Sequence, residues 1–406
     1  MRDAERLRSR SVARTDRTKR IAASIADAAG LPGAAETLAT LPASALGSLL
    51  LAVHRSRAGA VRASQLLAAA GERLFRPSTV DGRMFHRFDA VAFEAARAFD
   101  ALDVAPVAPF GACAALAGID QNNVLTALRR AEVLADPTVA LALAAATRRR
   151  PPVARADVVR LCTSARLVRM QSLEDAPAEF TPHFRLFALV TAGRDAGEHR
   201  FETDALAEHV LAWLRLADGL RRAGFSMKGT RVEVSDMAAV EALCLAQGVS
   251  VEAIRAVAAA HRIGAGAEVL ARVGATLPGS LRDPRSELGP LHRRLPTEAA
   301  LRLDRVRERV VPAIATAFPA TEVRFDLSRL EGLGYYRGLA FRISVEGPAG
   351  SLPVVDGGVV PWMQALLADR KERLVASAIG TEAVCKVCRL NRSSAAERGA
   401  RAPQAR

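Results

Sequence analysis

Lysine is nearly missing from this 406-residue sequence: only four of its 57 basic residues are Lys (Lys19, Lys228, Lys371, Lys386). Aromatic residues are equally sparse, at 4%, with two Trp and two Tyr in the whole chain. The five Cys follow no framework spacing, which excludes a disulfide-stapled mini-protein and predicts free thiols in a reducing compartment. No apolar run approaches the ~20 residues that a bilayer span needs, and the segment MRDAERLRSR is charged where a signal peptide would be apolar. A soluble, cytoplasmic chain without membrane contact is therefore expected. The sequence also has no G-x-S-x-G, no P-loop and no G-x-G-x-x-G, so hydrolase and kinase readings find no support.

What is present is a long, apolar-rich chain with a charge of +14, and the location of that charge matters more than its size. Residues 1–20 hold eight basic and three acidic side chains, and residues 386–406 hold six and one. The body between them is close to ordinary, so nucleic acid is not among the expected partners of the main chain. Residues 1–20 and 390–406 are aperiodic and predict disordered basic tails. Residues 21–78 predict a helical extension, with apolar stripes at Ile21, Ile25 and Ala28, at Leu46, Leu49, Leu50 and Val53, and at Leu66 and Leu67. Residues 79–389 form the expected core, in which 236–317 reads as a mostly helical insertion. Within it, a helix is expected around Phe88–Leu102 and another over Glu202–Ala223, and Phe184–Thr191 is apolar on both faces, as in a strand covered on both sides.

Period-two patterning is clearest late in the chain. Val323, Phe325 and Leu327 alternate with polar residues, as do Leu339, Phe341, Ile343 and Val345, which predicts two half-buried antiparallel strands. Between them lies Glu331-Gly332-Leu333-Gly334-Tyr335-Tyr336-Arg337-Gly338, with both tyrosines of the chain. Glycines let backbone approach a ligand, and two phenols supply hydrogen bonds. A plain hairpin with surface tyrosines is the alternative.

This block resembles the Arg-Gly-Leu-x-Tyr-Tyr-Thr histidine motif of histidyl-tRNA synthetase, and it is as similar to that enzyme's paralogue, the regulatory subunit of ATP phosphoribosyltransferase. Leu167-Val168-Arg169-Met170-Gln171 resembles motif 2 of a class II synthetase, Asp356-Gly357-Gly358 the second histidine motif, and Ala376-Ser377-Ala378-Ile379-Gly380-Thr381-Glu382 motif 3. The order is the one such a core requires, with the Phe88–Leu102 helix and the stretch Val104–Pro109 as candidate motif 1. The resemblance implies an α+β fold: a class II synthetase-like antiparallel sheet flanked by helices, carrying the helical extension and insertion, and a homodimer. It also implies a ligand site at Arg169, Glu331, Tyr335, Tyr336, Asp356, Gly357 and Gly358, with Leu189 and Gly193 at the positions that read the imidazole.

Adenylate chemistry needs cations around the phosphates. Arg169 fits the arginine of motif 2, but Ala383 and Glu331 stand where the family has the other two. Exchanging a cation for a carboxylate there turns attraction into repulsion, ~4 kcal/mol each way at about 4 Å and an effective dielectric near ~20. The expected function is therefore a non-catalytic regulatory or ligand-sensing subunit in histidine biosynthesis, whose partners would be an amino acid or nucleotide and the ATP phosphoribosyltransferase catalytic subunit, with no cofactor and no metal. An aminoacyl-ligase acting on a non-tRNA acceptor and a tRNA-binding accessory protein are the alternatives. Cys385-Lys386-Val387-Cys388 is a lone CxxC without partners for a metal. His86, His183 and His209 read as structural, Arg194-Asp195 as a surface ion pair, and Asp120-Gln121-Asn122-Asn123 as a helix cap.

Overall fold

The computed structural model describes residues 19–127, 130–150, 157–170, 173, 180–258, 266–347 and 350–388. The tails expected at 1–20 and 390–406 lie outside them, except for Lys19 and Arg20, which begin a helix; Gln171 lies outside as well. Helices α1 (residues 19–28), α2 (Ala34–Thr40), α3 (Ala43–Gly59) and α4 (Ala63–Ala69) come first, and no described residue in them is buried. Their stripes therefore face outward. Helix α5 (Gly82–Ala95) follows, and it differs from the helix expected over Phe88–Leu102. Asp81 accepts from the Arg83 N–H and caps it, which sets the earlier start, and Asp100–Ala101 are drawn off as strand β1 beside Leu161 and Cys162.

Strands β2 (Val107–Pro109), β3 (Thr126–Ala127) and β4 (Ala131–Val133) form a small sheet in the order β2-β4-β3, with helix α6 (Ala112–Ala117) between the first two. Helix α7 (Pro137–Arg149) then leads into β5 (Val159–Val168), β6 (His183–Arg194), helix α8 (Arg200–Arg222) and β7 (Lys228–Asp236). Helices α9 (Met237–Leu245), α10 (Val251–Ala258) and α11 (Gly266–Val273), strand β8 (Ser280–Leu281), and helices α12 (Pro284–Glu287), α13 (Thr297–Arg305) and α14 (Val311–Ala317) come next. The chain continues through β9 (Glu322–Asp326), β10 (Leu339–Gly347), β11 (Gly350–Val359), α15 (Trp362–Leu367), β12 (Glu372–Ile379) and α16 (Thr381–Val387).

Among the described residues nine strands make the main sheet, in the order β1-β5-β6-β12-β11-β10-β7-β9-β8. Only β1 with β5 and β7 with β9 run parallel; the other neighbours are antiparallel. The α+β architecture with a mostly antiparallel sheet flanked by helices is the one expected. Successive residues of β6 reach opposite faces. Phe187 packs edge-on against Phe93 of α5 and Trp213 of α8, while α7 lies along β5 and β6 on the other side. Burial from both sides explains why β6 has no polar face.

The two alternating segments flanking the tyrosine block do not behave as expected. β9 and β10 run antiparallel but never touch, because β7 lies between them, parallel to β9 and antiparallel to β10. The plain hairpin is thereby excluded. β10 is also buried on both faces instead of one, since it sits in the middle of the sheet and not at an edge.

Candidate functional site

The β9-to-β10 connection, β7 intervening, must cross the end of the sheet, and it carries the tyrosine block over the strand ends. Gly332 at φ 86° makes the turn, and a Cβ there would strike the Tyr336 ring. Tyr336 is buried, packs edge-on against Tyr335 with centroids 4.8 Å apart, and lies under the Arg329 guanidinium. Gly358 of β11 lies directly beneath: a Cβ on it would meet the Leu339 carbonyl and the same ring.

Below and beside the tyrosines opens a cavity of about 870 Å³. Its floor is the sheet face formed by Arg342, residues 353–356 and residues 376–378. One wall is the tyrosine block, from Glu331 to Tyr336. The facing wall is built by Leu186, Arg169, Asp120, Asn123 and the start of α7, where Asp136 and Thr138 stand. Asp136 caps α7, accepting from the Thr138 N–H at 2.9 Å and the Thr138 hydroxyl at 2.6 Å. Thr138 in turn lies beside the Tyr335 phenol. Burial pushes both phenols well above the ordinary tyrosine range, and the nearby Asp136 and Asp356 charges add to this, so they remain protonated donors at any physiological pH.

Electrostatically the cavity is paired. Arg342 donates to Glu331 at 3.0 Å, Arg329 to Asp356, and Arg169 stands 3.8 Å from Asp136 while donating to the Ala135 carbonyl at 2.8 Å. Burial, the largest single influence, would raise the Glu331 carboxyl, but the Arg342 charge and hydrogen bond, a backbone hydrogen bond and the Arg329 charge together hold the group below its usual range. The expectation of a site short of cations is corrected here. Glu331 does replace one arginine, but the register of β10 on β11 sets Arg342 opposite Asp356 on the cavity face, and Arg329 reaches the same aspartate. Cations are present, and carboxylates occupy them.

Of the residues expected at the site, Arg169, Glu331, Tyr335, Tyr336 and Asp356 line the cavity. Gly357 and Gly358 lie under it in β11, where Gly357 makes room for Ser377 and Phe341. Leu189 and Gly193 do not reach it. They share the α8 face of β6 with Phe187, Leu189 lying in the core and Gly193 against Phe201, whereas Leu186 on the opposite face lines the cavity. An ungapped alignment cannot see that parity. Asp136, Thr138, Arg342 and Arg329 are cavity or near-cavity groups that sequence reasoning passed over. The available signals were an Asp-Pro-x helix start and an arginine inside a strand that is otherwise core.

Other expected features fall elsewhere. Asp120 caps a 3₁₀ turn at Gln121–Asn123 through the Asn122 N–H, and also borders the cavity. Arg194 pairs with Asp369 and Glu372, and Asp195 with Arg373. His183 bridges Arg166 and the Arg76 carbonyl, and His209 lies buried between hydroxyls. Cys385 and Cys388 are both buried; burial pushes the Cys385 thiol up to about 12, which suppresses the thiolate that redox chemistry requires. Among the described residues no group of three or more His, Cys, Asp or Glu is gathered as metal ligands, and no helix is long and apolar enough to cross a membrane.

No protein-family model matches the sequence, and no curated protein matches it either. Solved structures do resemble the fold. An ATP phosphoribosyltransferase regulatory subunit/histidyl-tRNA synthetase from Bacillus halodurans aligns over 78% of this chain and 82% of its own, with TM-score 0.57 and 13% identity. A histidyl-tRNA synthetase from a Nostoc species aligns over 78% and 74%, with TM-score 0.56 and 15% identity. A histidine–tRNA ligase subunit from Alicyclobacillus acidocaldarius aligns over 76% and 95%, with TM-score 0.53 and 18% identity. The core of this chain thus has the histidyl-tRNA synthetase-like, class II fold.

Proposed function

We propose that this chain is a non-catalytic, ligand-sensing subunit working in the cytoplasm, in the manner of the regulatory subunit of ATP phosphoribosyltransferase, with a catalytic subunit of that enzyme as its partner. One observation carries the reading: the arginines lining the cavity each face a carboxylate, Arg342 with Glu331 and Arg169 with Asp136, and Arg329 behind them holds Asp356. A triphosphate would have to displace Glu331 and Asp356 or lie beside them, and each such carboxylate opposes it by ~4 kcal/mol at about 4 Å and an effective dielectric near ~20. The cavity and its two phenols persist all the same, and they suit a small ligand held by hydrogen bonds and reversible ion-pair exchange. A sensor needs no more than differential binding to two states.

Two measurements test this. Amino-acid-dependent ATP–pyrophosphate exchange with all twenty amino acids is expected to stay at background. Exchange above background that vanishes in Arg169→Ala would move the assignment to the aminoacyl-ligase reading, in which Arg342 and Arg329 serve as replacement cations. Thermal-shift screening of amino acids and nucleotides is expected to find a compound that raises the midpoint of the wild type and leaves that of Tyr335→Ala unchanged. Salt-sensitive retention of tRNA, with no small-molecule shift, would instead favour the accessory-protein reading.

A further inference from the structure

Charge in the cavity does not balance. Asp120, Asp136, Glu331 and Asp356 line it against Arg169 and Arg342, and Arg329 behind the wall adds a third cation. Glu331 with Arg342 at 3.0 Å and Asp356 with Arg329 are closed pairs. The other two carboxylates are not. Asp136 stands 3.8 Å from Arg169, whose hydrogen bond goes to the Ala135 carbonyl, and Asp120 makes no ion pair among the described residues, accepting instead from the Asn122 N–H. One negative charge is left over on the wall where α7 begins.

Donors are left over as well. Among the described residues, Nε of Arg169 and Nη1 of Arg329 are buried and have no hydrogen-bond partner, and the Arg329 side chain is only 1% exposed. Buried N–H groups nearly always find an acceptor. One of these belongs to a guanidinium that lines the cavity, the other to one that bonds the lining residue Asp356. A molecule carrying both an ammonium and a carboxylate answers both surpluses. Asp136 and Arg169, 3.8 Å apart, are close enough to take the two charges borne on one carbon atom.

The rest of the lining offers no such groups. On the floor, the row Arg342–Asp356 continues across the sheet as Ala378 and Ala188, so charge gives way to methyl groups within one strand. Leu186, Ala117, Ile119 and Ala376 complete that side. Ser377 turns its hydroxyl to Trp213 and His209 on the opposite face. The remaining polar groups stand with the carboxylates: Asn123 ends the turn that Asp120 caps, Thr138 bonds Asp136, and both phenols lie near Asp136 and Asp356. A polar side chain laid on the methyl surface would lose its water and gain no partner, whereas an apolar one is favoured there.

We propose, resting on the ligand-sensing reading above, that the sensed ligand is an α-amino acid with an apolar side chain. Its ammonium lies at Asp136, its carboxylate at Arg169, and its side chain on Leu186, Ala376 and Ala378. The site selects against histidine, whose ring nitrogens would face those methyl groups.

Calorimetric titration of the full wild-type chain tests this without any variant. At least one of L-leucine, L-methionine and L-phenylalanine is expected to bind about tenfold or more tightly than each of L-histidine, L-asparagine and L-glutamine. Analogues of the tightest binder that lack the carboxylate or the ammonium, isoamylamine and isocaproate in the case of leucine, are each expected to bind about tenfold or more weakly than it. Leu186→Gln is expected to cut the apolar preference about tenfold. Ala378→Ser, which adds only a hydroxyl to the same surface, should act in the same direction if Leu186→Gln does not fold. A polar amino acid that binds as tightly as the apolar three, or an amine or acid alone that binds like the whole amino acid, would overturn the assignment and leave ligand sensing intact. Silence of the whole amino-acid series would overturn it too, and if nucleotides were silent as well the sensing reading would fall with it.

Discussion

Replacing Glu372 by Gln is expected to lower the free energy of unfolding by about 3–5 kcal/mol, the usual cost of removing one member of a buried ion pair. Glu372 begins β12 and Arg149 ends α7, and both side chains are 1% exposed. The guanidinium meets the carboxylate along two edges, Nε to Oε2 at 2.7 Å and Nη2 to Oε1 at 3.1 Å. Gln keeps the shape but removes the countercharge and one of the two carboxylate acceptors, leaving the guanidinium charge buried with neutral partners such as the Asp157 carbonyl. In Arg149→Met/Glu372→Met no charge is orphaned, so that double variant is expected to recover a large part of the loss. The site is affected too. The opposite end of α7 supplies Asp136 and Thr138, and residues 376–378 of β12 floor the same cavity, so the pair fixes the distance between a wall and the floor. Urea denaturation of the three proteins checks the energies; a Glu372→Gln variant within about 1 kcal/mol of wild type would show that the pair is not buried in solution.

Acidification from pH 6.5 to 4.5 is expected to cost the wild type about 2.3 kcal/mol more than it costs His209→Gln, the slope reaching about 1.4 kcal/mol per pH unit only once the unfolded ring is mostly protonated. His209 is fully buried, and burial, with the Arg160 charge second, takes its pKa down from 6.5 to about 3. In the unfolded chain the ring titrates near 6.5. Above that pH both states hold it neutral and its contribution is intact; below it only the unfolded state takes up the proton, so stability falls until the folded pKa is reached. The hydrogen bonds agree with a neutral ring. The Trp213 N–H can only donate, and it donates to the Ser377 hydroxyl at 2.8 Å. Ser377 can then give its own proton to His209 Nδ1 at 2.8 Å, leaving Nε2–H for Thr191 at 3.0 Å, with Glu208 at 3.3 Å beyond Thr191. A charged ring would present two donors and strand the Ser377 proton. Parallel loss of stability in wild type and variant across this range would remove His209 from the account.

Local chemistry alone determined a good deal. Alternation marked β10, continuous apolarity marked β6 as covered on both sides, and the pairing of both tyrosines with three glycines marked the wall of the cavity. These signals are legible because they depend on residues within a few positions of one another. The arm's stripes were equally legible, but a stripe states only that a helix has an apolar side, and the structure leaves that side uncovered.

Tertiary structure decided the rest, for reasons of pairing and parity. That β7 separates β9 from β10 follows from hydrogen bonds between segments roughly 90 to 120 residues apart, which no local pattern encodes. A period of two says that neighbours in a strand alternate, not which set meets the ligand; hence Leu189 and Gly193 proved to face α8, and Leu186 the cavity. The electrostatics were the least legible of all. Glu331 reads in the sequence as a lost cation, and only the register that lays Arg342 opposite Asp356, with Arg329 close by, turns that substitution into one member of a paired set of charges. Sequence supplied the groups, and the sheet register chose their partners, because a charge interacts through space with whatever the fold brings within a few ångströms.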